Sequence, residues 1–253
     1  MLQISEINLK TVSSRSLTSK EPPITIANGL LASLPREECE HLAPRLEMVR
    51  LPKNRILYEA GDAMRHVYFP NGGMASLLAI NEDGQTIEIG TVGSEGFIGV
   101  PIIHQVGITP YRVMVQIPMT AMKLEADALI GECNRGGKLK GMLLRYAHVQ
   151  ETQLAQAVPC NLFHSVEQRL ARRFMVTSNC VNSDTFEMTQ EQLGIILSRH
   201  RNRISAAVLE LKNKGLIEHC RGEITILDRK GLEASACECY RIVNDCISRT
   251  LGE

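Results

Sequence analysis

The stretch from Thr189 to Leu227, TQEQLGIILSRHRNRISAAVLELKNKGLIEHCRGEITIL, constrains the fold more than any other part of the chain. Thr189 with Gln192 three residues later is a capping-box pattern, and it opens a short helix with Leu193, Ile196 and Leu197 on one side. A tight break follows at SRHR. Ile204, Val208 and Leu211 then recur at helical spacing, and the helix should stop near Gly215. LIEHC and EITIL read as two short strands about an Arg-Gly turn. Helix, tight turn, helix and hairpin together form a winged helix-turn-helix. In that arrangement the second helix presents its first residues to base edges in the major groove.

With Ile204, Val208 and Leu211 holding the second helix on the core, Arg201, Asn202, Ser205 and Ala206 project outward as candidate base readers. Arg pairs bidentately with guanine and Asn with adenine. Thr189, Arg199, His200, Arg203 and the wing-tip Arg221 are candidate contacts to the DNA backbone. A basic helix start opposes the helix dipole by about 0.3–1 kcal/mol unless an anion lies beside it. Between Arg199 and Lys214 five basic residues, Arg199, Arg201, Arg203, Lys212 and Lys214, face one acid, Glu210, so positive charge is expected to concentrate here. Over the whole chain 28 basic residues balance 28 acidic ones, which excludes a generally polycationic protein.

The 253 residues, 44% of them hydrophobic, suffice for two modest domains. The Ser-rich, Pro-terminated start is expected to be a flexible segment over residues 1–27. NGLLASLPREECEHLAPRL reads as a short helical pair broken at Pro35. HVYFPNGGMASLLAI, TIEIGTV and YRVMVQI then carry strand patterns, with AGDA, PNGG and NEDGQ as turn clusters between them. In the last strand Tyr111, Val113, Val115 and Ile117 point one way and Arg112, Met114 and Gln116 the other. Many short strands with Gly-rich turns indicate an antiparallel sandwich or barrel.

Helical period returns after Leu124, with Leu139, Met142, Tyr146 and Val149 on one stripe and Leu143, Ala147, Leu154 and Ala157 on another. Pro159 should end or kink that helix. Ser165 with Gln168 opens a further one. After the hairpin, Asp228 can cap a final helix with the stripe Leu232, Ala236, Cys239, Val243 and Cys246.

The winged-helix segment resembles the DNA-binding domain of the Crp/Fnr family of bacterial transcription regulators. ILYEAGDAMRHVYFPNGGMASLLAI and TVGSEGFIGV are similar to that family's cyclic-nucleotide-binding-like β-roll. HSVEQRLARRFM is similar to the helix after its long dimerisation helix. The likeness covers roughly residues 28–228 and implies an α+β fold in four parts: the segment 1–27, a β-roll sensory domain over 28–136, a dimerisation helix over 137–160, and a winged helix-turn-helix domain with a C-terminal helix over 161–253. It further implies a cytoplasmic homodimer on a two-fold symmetric stretch of double-stranded DNA, with RNA polymerase as a partner to consider and no membrane association. The family's base-reading positions fall on Arg201, Asn202 and Ala206; the first matches, whereas Asn202 replaces the frequent Glu and Ala206 the frequent Arg. The operator is thus expected to differ from the family's commonest one.

Members of the family that bind cyclic nucleotides carry a Gly-Glu pair for the ribose and an Arg-Ser pair for the phosphate. Here Gly99 is followed by Val100 and Arg112 by Val113, so nucleotide binding is not expected and the effector is left open. Cys39 stands alone near the N-terminus, unlike the cysteine set that holds iron–sulfur clusters in the family. His66, His104 and His148 fall in the sensory region as isolated histidines. No cofactor and no metal site is therefore expected. The eight cysteines include no C-x-x-C pair, and Cys239 and Cys246 read as small hydrophobes of the last helix, with a redox role for Cys237, Cys239 or Cys246 as the lesser alternative. An enzyme is not expected, because the sheet region has no H-x-H set. The remaining rival is a ligand- or redox-sensing protein whose helix-turn-helix serves protein contacts.

Overall fold

The computed structural model describes residues 27–197 and 201–252, and in it Arg201 is placed by its backbone alone. Residues 1–26, Arg199 and His200 lie outside the described residues. Asn28 fixes the point where the described chain enters the fold. Its Oδ1 accepts from Leu31 N, capping α1 (Gly29–Ala32), while its Nδ2 donates to the carbonyls of Pro70 and Gly96. Pro35 separates α1 from α2 (Arg36–Leu42), and a 3-10 turn at Ala43–Arg45 leads into the sheet.

Five strands form one antiparallel sheet: β1 (Glu47–Leu51), β2 (Ile56–Tyr58), β3 (His66–Ile80), β4 (Thr86–Val92), then, after the short α3 (Val100–Ile103), β5 (Arg112–Glu125). The spatial order is β1-β5-β3-β4, with β2 also on β5. PNGG does not end a strand. β3 runs through it, and its pairing with β5 shifts at Pro70/Gly72, Gly72/Met74 and Met74/Ala75. Extra residues bend and twist a long strand without breaking it, which lets one strand serve both ends of the roll. Gly73, at φ +83°, sits where a Cβ would come 2.3 Å from the Pro118 carbonyl oxygen. The same shifts change the phase of β5: alternation holds from Tyr111 to Val115, but Gln116 is then buried and Ile117 only half-buried.

After α4 (Ala126–Arg135), Gly136 and Gly137 turn the chain with positive φ into α5 (Lys138–Phe163). The Glu38 carboxylate caps that helix from outside, accepting from Lys138 N at 2.8 Å and Leu139 N at 2.9 Å, where the helix dipole favours negative charge. α5 does not stop at Pro159. The proline removes one ladder bond, and Asn161 Nδ2 donates to the Ala157 carbonyl in the same turn. Leu139, Met142, Leu143, Tyr146, Ala147 and Val149 bury one side of α5 in the β-roll core. Two polar anchors add direction: Gln150 Nε2 donates to Tyr111 Oη at 2.6 Å, and Gln153 Oε1 accepts from Thr91 N at 3.0 Å.

A second core begins with α6 (Val166–Val181), whose Ser165–Gln168 capping box is complete. The C-terminal stripe does not form one helix. Asp228 caps α9 (Arg229–Ser235), the chain turns at 236–238, and α10 (Cys239–Leu251) follows. α10 lies along α5, and Cys246, Ile247 and Leu251 reach back to the β-roll core. Among the described residues no helix is long and apolar enough to cross a membrane.

Candidate nucleic-acid interface

Between α6 and the hairpin the chain forms β6 (Thr185–Glu187), α7 (Gln190–Leu197), α8 (Arg201–Asn213), β7 (Ile217–Cys220) and β8 (Glu223–Ile226). Ile204 and Leu211 are fully buried and Val208 nearly so, which fixes the outward face of α8 by elimination. Asn202, Arg203 and Ala206 are exposed on that face. Ser205 is half-buried, and its hydroxyl donates to Gln190 Oε1 at 3.0 Å, joining the two helices. Thr189 and Gln192 cap α7 reciprocally through Gln192 N to Thr189 Oγ1 and Thr189 N to Gln192 Oε1. Arg169, buried in α6, donates to the Leu197 carbonyl at the end of α7. The helix pair is therefore locked to α6 and to itself by polar contacts as well as packing.

The wing is a two-residue hairpin in which Arg221 (φ 49°) and Gly222 (φ 83°) both have positive φ, the turn that matches the twist of paired strands. Arg221 is exposed at its tip. Met188 N donates to the Gly222 carbonyl at 2.7 Å, tying the wing tip to the approach of α7. β6 was not legible in the sequence, since three residues are too few to show a period, yet it pairs with β8 and makes a three-stranded sheet.

The charge pattern is narrower than the sequence suggests. Lys212 pairs with Glu218 at 2.5 Å, and Lys214 pairs with Glu167 and Glu210. Glu167 and Glu218 lie outside the Arg199–Lys214 stretch, so Lys212 and Lys214 add less positive charge than their sequence neighbourhood suggests.

Thr189, Gly194, Arg203 and Arg221 line one wall of an open groove whose other wall is the β-roll at Gln85, Thr86, Arg112 and Met114. Arg112 is held there by Glu59, with Nε 2.7 Å from Oε2. Lower at the same junction, Arg173 of α6 is buried against Glu88 of β4, whose other oxygen accepts from Ser76 Oγ at 2.5 Å. Burial works against the Arg173 charge and the Glu88 carboxylate supports it. Its Nε and Nη2 find no hydrogen-bond partner among the described residues. Beside this pair a cavity of about 230 Å³ lies between β4, α5, α6 and α10.

Residues 48–135 match the cyclic nucleotide-binding domain family and residues 168–235 the Crp-like helix-turn-helix domain. Together the two matches span more than half of the chain, in the order the fold requires. The chain belongs to the Crp/Fnr family. No curated protein matches the sequence. Among solved structures, FixK2 from Bradyrhizobium japonicum superposes with a TM-score of 0.64 at 11% identity, covering 76% of this chain and 98% of its own. TTHB099, a CRP-family transcriptional regulator from Thermus thermophilus, gives 0.62 at 17% identity over 74% and 96%. At such identities the likeness establishes the fold: a β-roll, long helices and a winged helix-turn-helix, as in other Crp/Fnr transcriptional regulators. Gly99-Val100, set by the resemblance against the family's Gly-Glu pair, opens a buried helical turn, and Arg112, the basic residue nearest the place of the Arg-Ser pair, is engaged by Glu59.

Proposed function

We propose that this Crp/Fnr protein is a sequence-specific transcription regulator that binds a two-fold symmetric operator as a homodimer, under control of a signal received at the β-roll. The supporting observation is the face of α8 opposite Ile204, Val208 and Leu211, where Asn202 and Ala206 are solvent-exposed at the start of the helix. In the major groove, Arg201 would pair with guanine and Asn202 with adenine, while Ala206 offers a methyl to thymine. Ser205, engaged with Gln190, would set the spacing of the helix pair and contribute less to readout. Thr189, Arg199, His200, Arg203 and Arg221 would position the backbone without reading sequence.

The dimer rests on the uncovered side of α5. Leu144, Val158 and Leu162 are exposed there; Ala155, Val158 and Leu162 follow the three- and four-residue spacing of a helix–helix seam, and Leu144 falls on the same edge beyond the polar positions His148 and Glu151. Val158→Asp with Leu162→Asp places two carboxylates in that seam. The variant is expected to elute as a monomer in size-exclusion chromatography with light scattering, where the parent elutes as a dimer; an unchanged dimer would move the interface elsewhere.

Control by the β-roll is supported by the groove: Arg203, Arg221 and Thr189 line the wall opposite the β-roll, and admitting a duplex there would call for the two domains to turn apart. A buried guanidinium with two unpaired donors makes that junction less stable than an apolar one, which suits a surface that must open.

Titration of selected operator DNA at several salt concentrations tests the whole proposal. Arg199, Arg203 and Arg221 from two chains neutralise about six phosphates, so the slope of log K against log salt should be about −5. Arg201→Ala should cost on the order of 1–3 kcal/mol and relax preference at one base position, whereas Arg203→Ala should weaken all sequences alike and reduce the slope. A flat salt response without sequence preference would favour the protein-contact alternative.

A further inference from the structure

Cys160 lies in the last turn of α5, and His164, four residues on, is the extended residue that ends the helix. Cys237 and Cys239 flank Glu238 in the corner between α9 and α10. The fold brings the two pairs together. Cys160 Sγ is 3.7 Å from Cys237 Sγ, Cys239 Sγ is 3.6 Å from His164 Nδ1, and the four ligand atoms all lie within 4.8 Å of one another. The three cysteines are buried and form a small core of their own.

A tetrahedron with Zn–S bonds of about 2.3 Å and a Zn–N bond of about 2.0–2.1 Å has S···S edges of about 3.8 Å and S···N edges of about 3.6 Å. Two edges thus already have coordination length, and the rest need a contraction of no more than about 1.0–1.2 Å. The other imidazole nitrogen, Nε2, is 3.1 Å from Glu238 Oε1. A carboxylate on one ring nitrogen places the proton there and leaves the lone pair of Nδ1 facing the thiols, the usual outer support of a metal-bound histidine. Cys160 is pushed down by its contact with Cys237, whereas Cys237 is pushed up by that contact and by burial, and Cys239 by burial and the Cys160 sulfur; the Arg172 guanidinium is the nearby positive charge that favours thiolates at all three. Its positive charge would offset the single negative charge of a dication held by three thiolates and a neutral imidazole.

We propose that Cys160, His164, Cys237 and Cys239 form a closed Cys3His site for a zinc ion, with Glu238 orienting His164. Binding exchanges the thiol protons of the three cysteines for the ion and releases those protons to solvent. Four protein ligands leave no open position, so the ion is structural. It joins the end of α5, immediately before the α5–α6 connection, to the corner from which α10 runs back to the β-roll. A Cys160–Cys237 disulfide is the competing use of the same sulfurs, and it would leave Cys239 and His164 without a shared role.

Elemental analysis of the purified full-length protein is expected to give one zinc per chain. Cobalt(II) added to metal-stripped protein should produce the visible absorption of a tetrahedral thiolate site. Cys160→Ser and Cys237→Ser should each abolish that spectrum, Cys246→Ser should leave it intact, and Glu238→Gln should weaken metal binding about 10–100-fold. If the serine variants fail to fold, cobalt titration of the parent chain against a competing chelator decides alone. Absence of any metal at one per chain, iron with acid-labile sulfide, or a Cys160–Cys237 disulfide under non-reducing mass spectrometry would each overturn the assignment.

Discussion

Arg173→Met should lower unfolding stability by about 3–5 kcal/mol, because it strands the Glu88 carboxylate in the junction between the two cores. Both side chains are nearly inaccessible, 2% for Arg173 and 5% for Glu88, so water cannot screen the loss. Glu88→Leu should cost a similar amount, since it leaves a buried guanidinium with no carboxylate. The double variant should recover a large part of the loss, as two apolar groups carry no desolvation penalty in that space. Urea unfolding of the four proteins gives the coupling directly. Additive losses would mean that the two groups do not meet. Since Arg173 belongs to α6 and Glu88 to β4, the double variant should also change DNA affinity, by altering how readily the domains separate.

Phe97→Ala should cost about 3–5 kcal/mol for the cavity it leaves. Phe97 stacks on Phe69 with centroids 5.6 Å apart and meets Tyr146 of α5 at 5.4 Å, and all three rings are fully buried. The neighbouring Gly96 has no room for a side chain, since a Cβ would fall 2.1 Å from the Tyr146 ring. That close approach sets the distance between the β-roll and α5, so the variant should loosen α5 as well as the sheet. Thermal unfolding reads the loss of stability, and the dissociation constant of the proposed dimer reads the loosening of α5. A loss below about 1 kcal/mol would show that the site collapses around the smaller residue.

The winged helix was legible because its information is local. Capping boxes at Ser165 and Thr189, the Ile204–Val208–Leu211 stripe and the Arg221-Gly222 turn each act within a few residues, and each appears where its pattern placed it. Local pattern misled where a residue's partner lies in another element of the fold. PNGG carries the composition of a turn, yet pairing with β5 on one side keeps β3 extended through it. Lys212 and Lys214 look unopposed along the chain and are neutralised by Glu218 and Glu167 from other elements.

By itself the sequence determined the order of the domains, the inward stripe of α8 and hence which of its residues face outward, because periodicity and capping depend on near neighbours in the chain. Only the tertiary structure decided that Arg173 meets Glu88 across 85 positions, that Thr189, Arg203 and Arg221 look toward the β-roll, and that Cys160 and His164 meet Cys237 and Cys239. No spacing rule joins residues so far apart. Their encounter depends on the break between α9 and α10, which turns Cys239 out of the expected apolar stripe and against the end of α5.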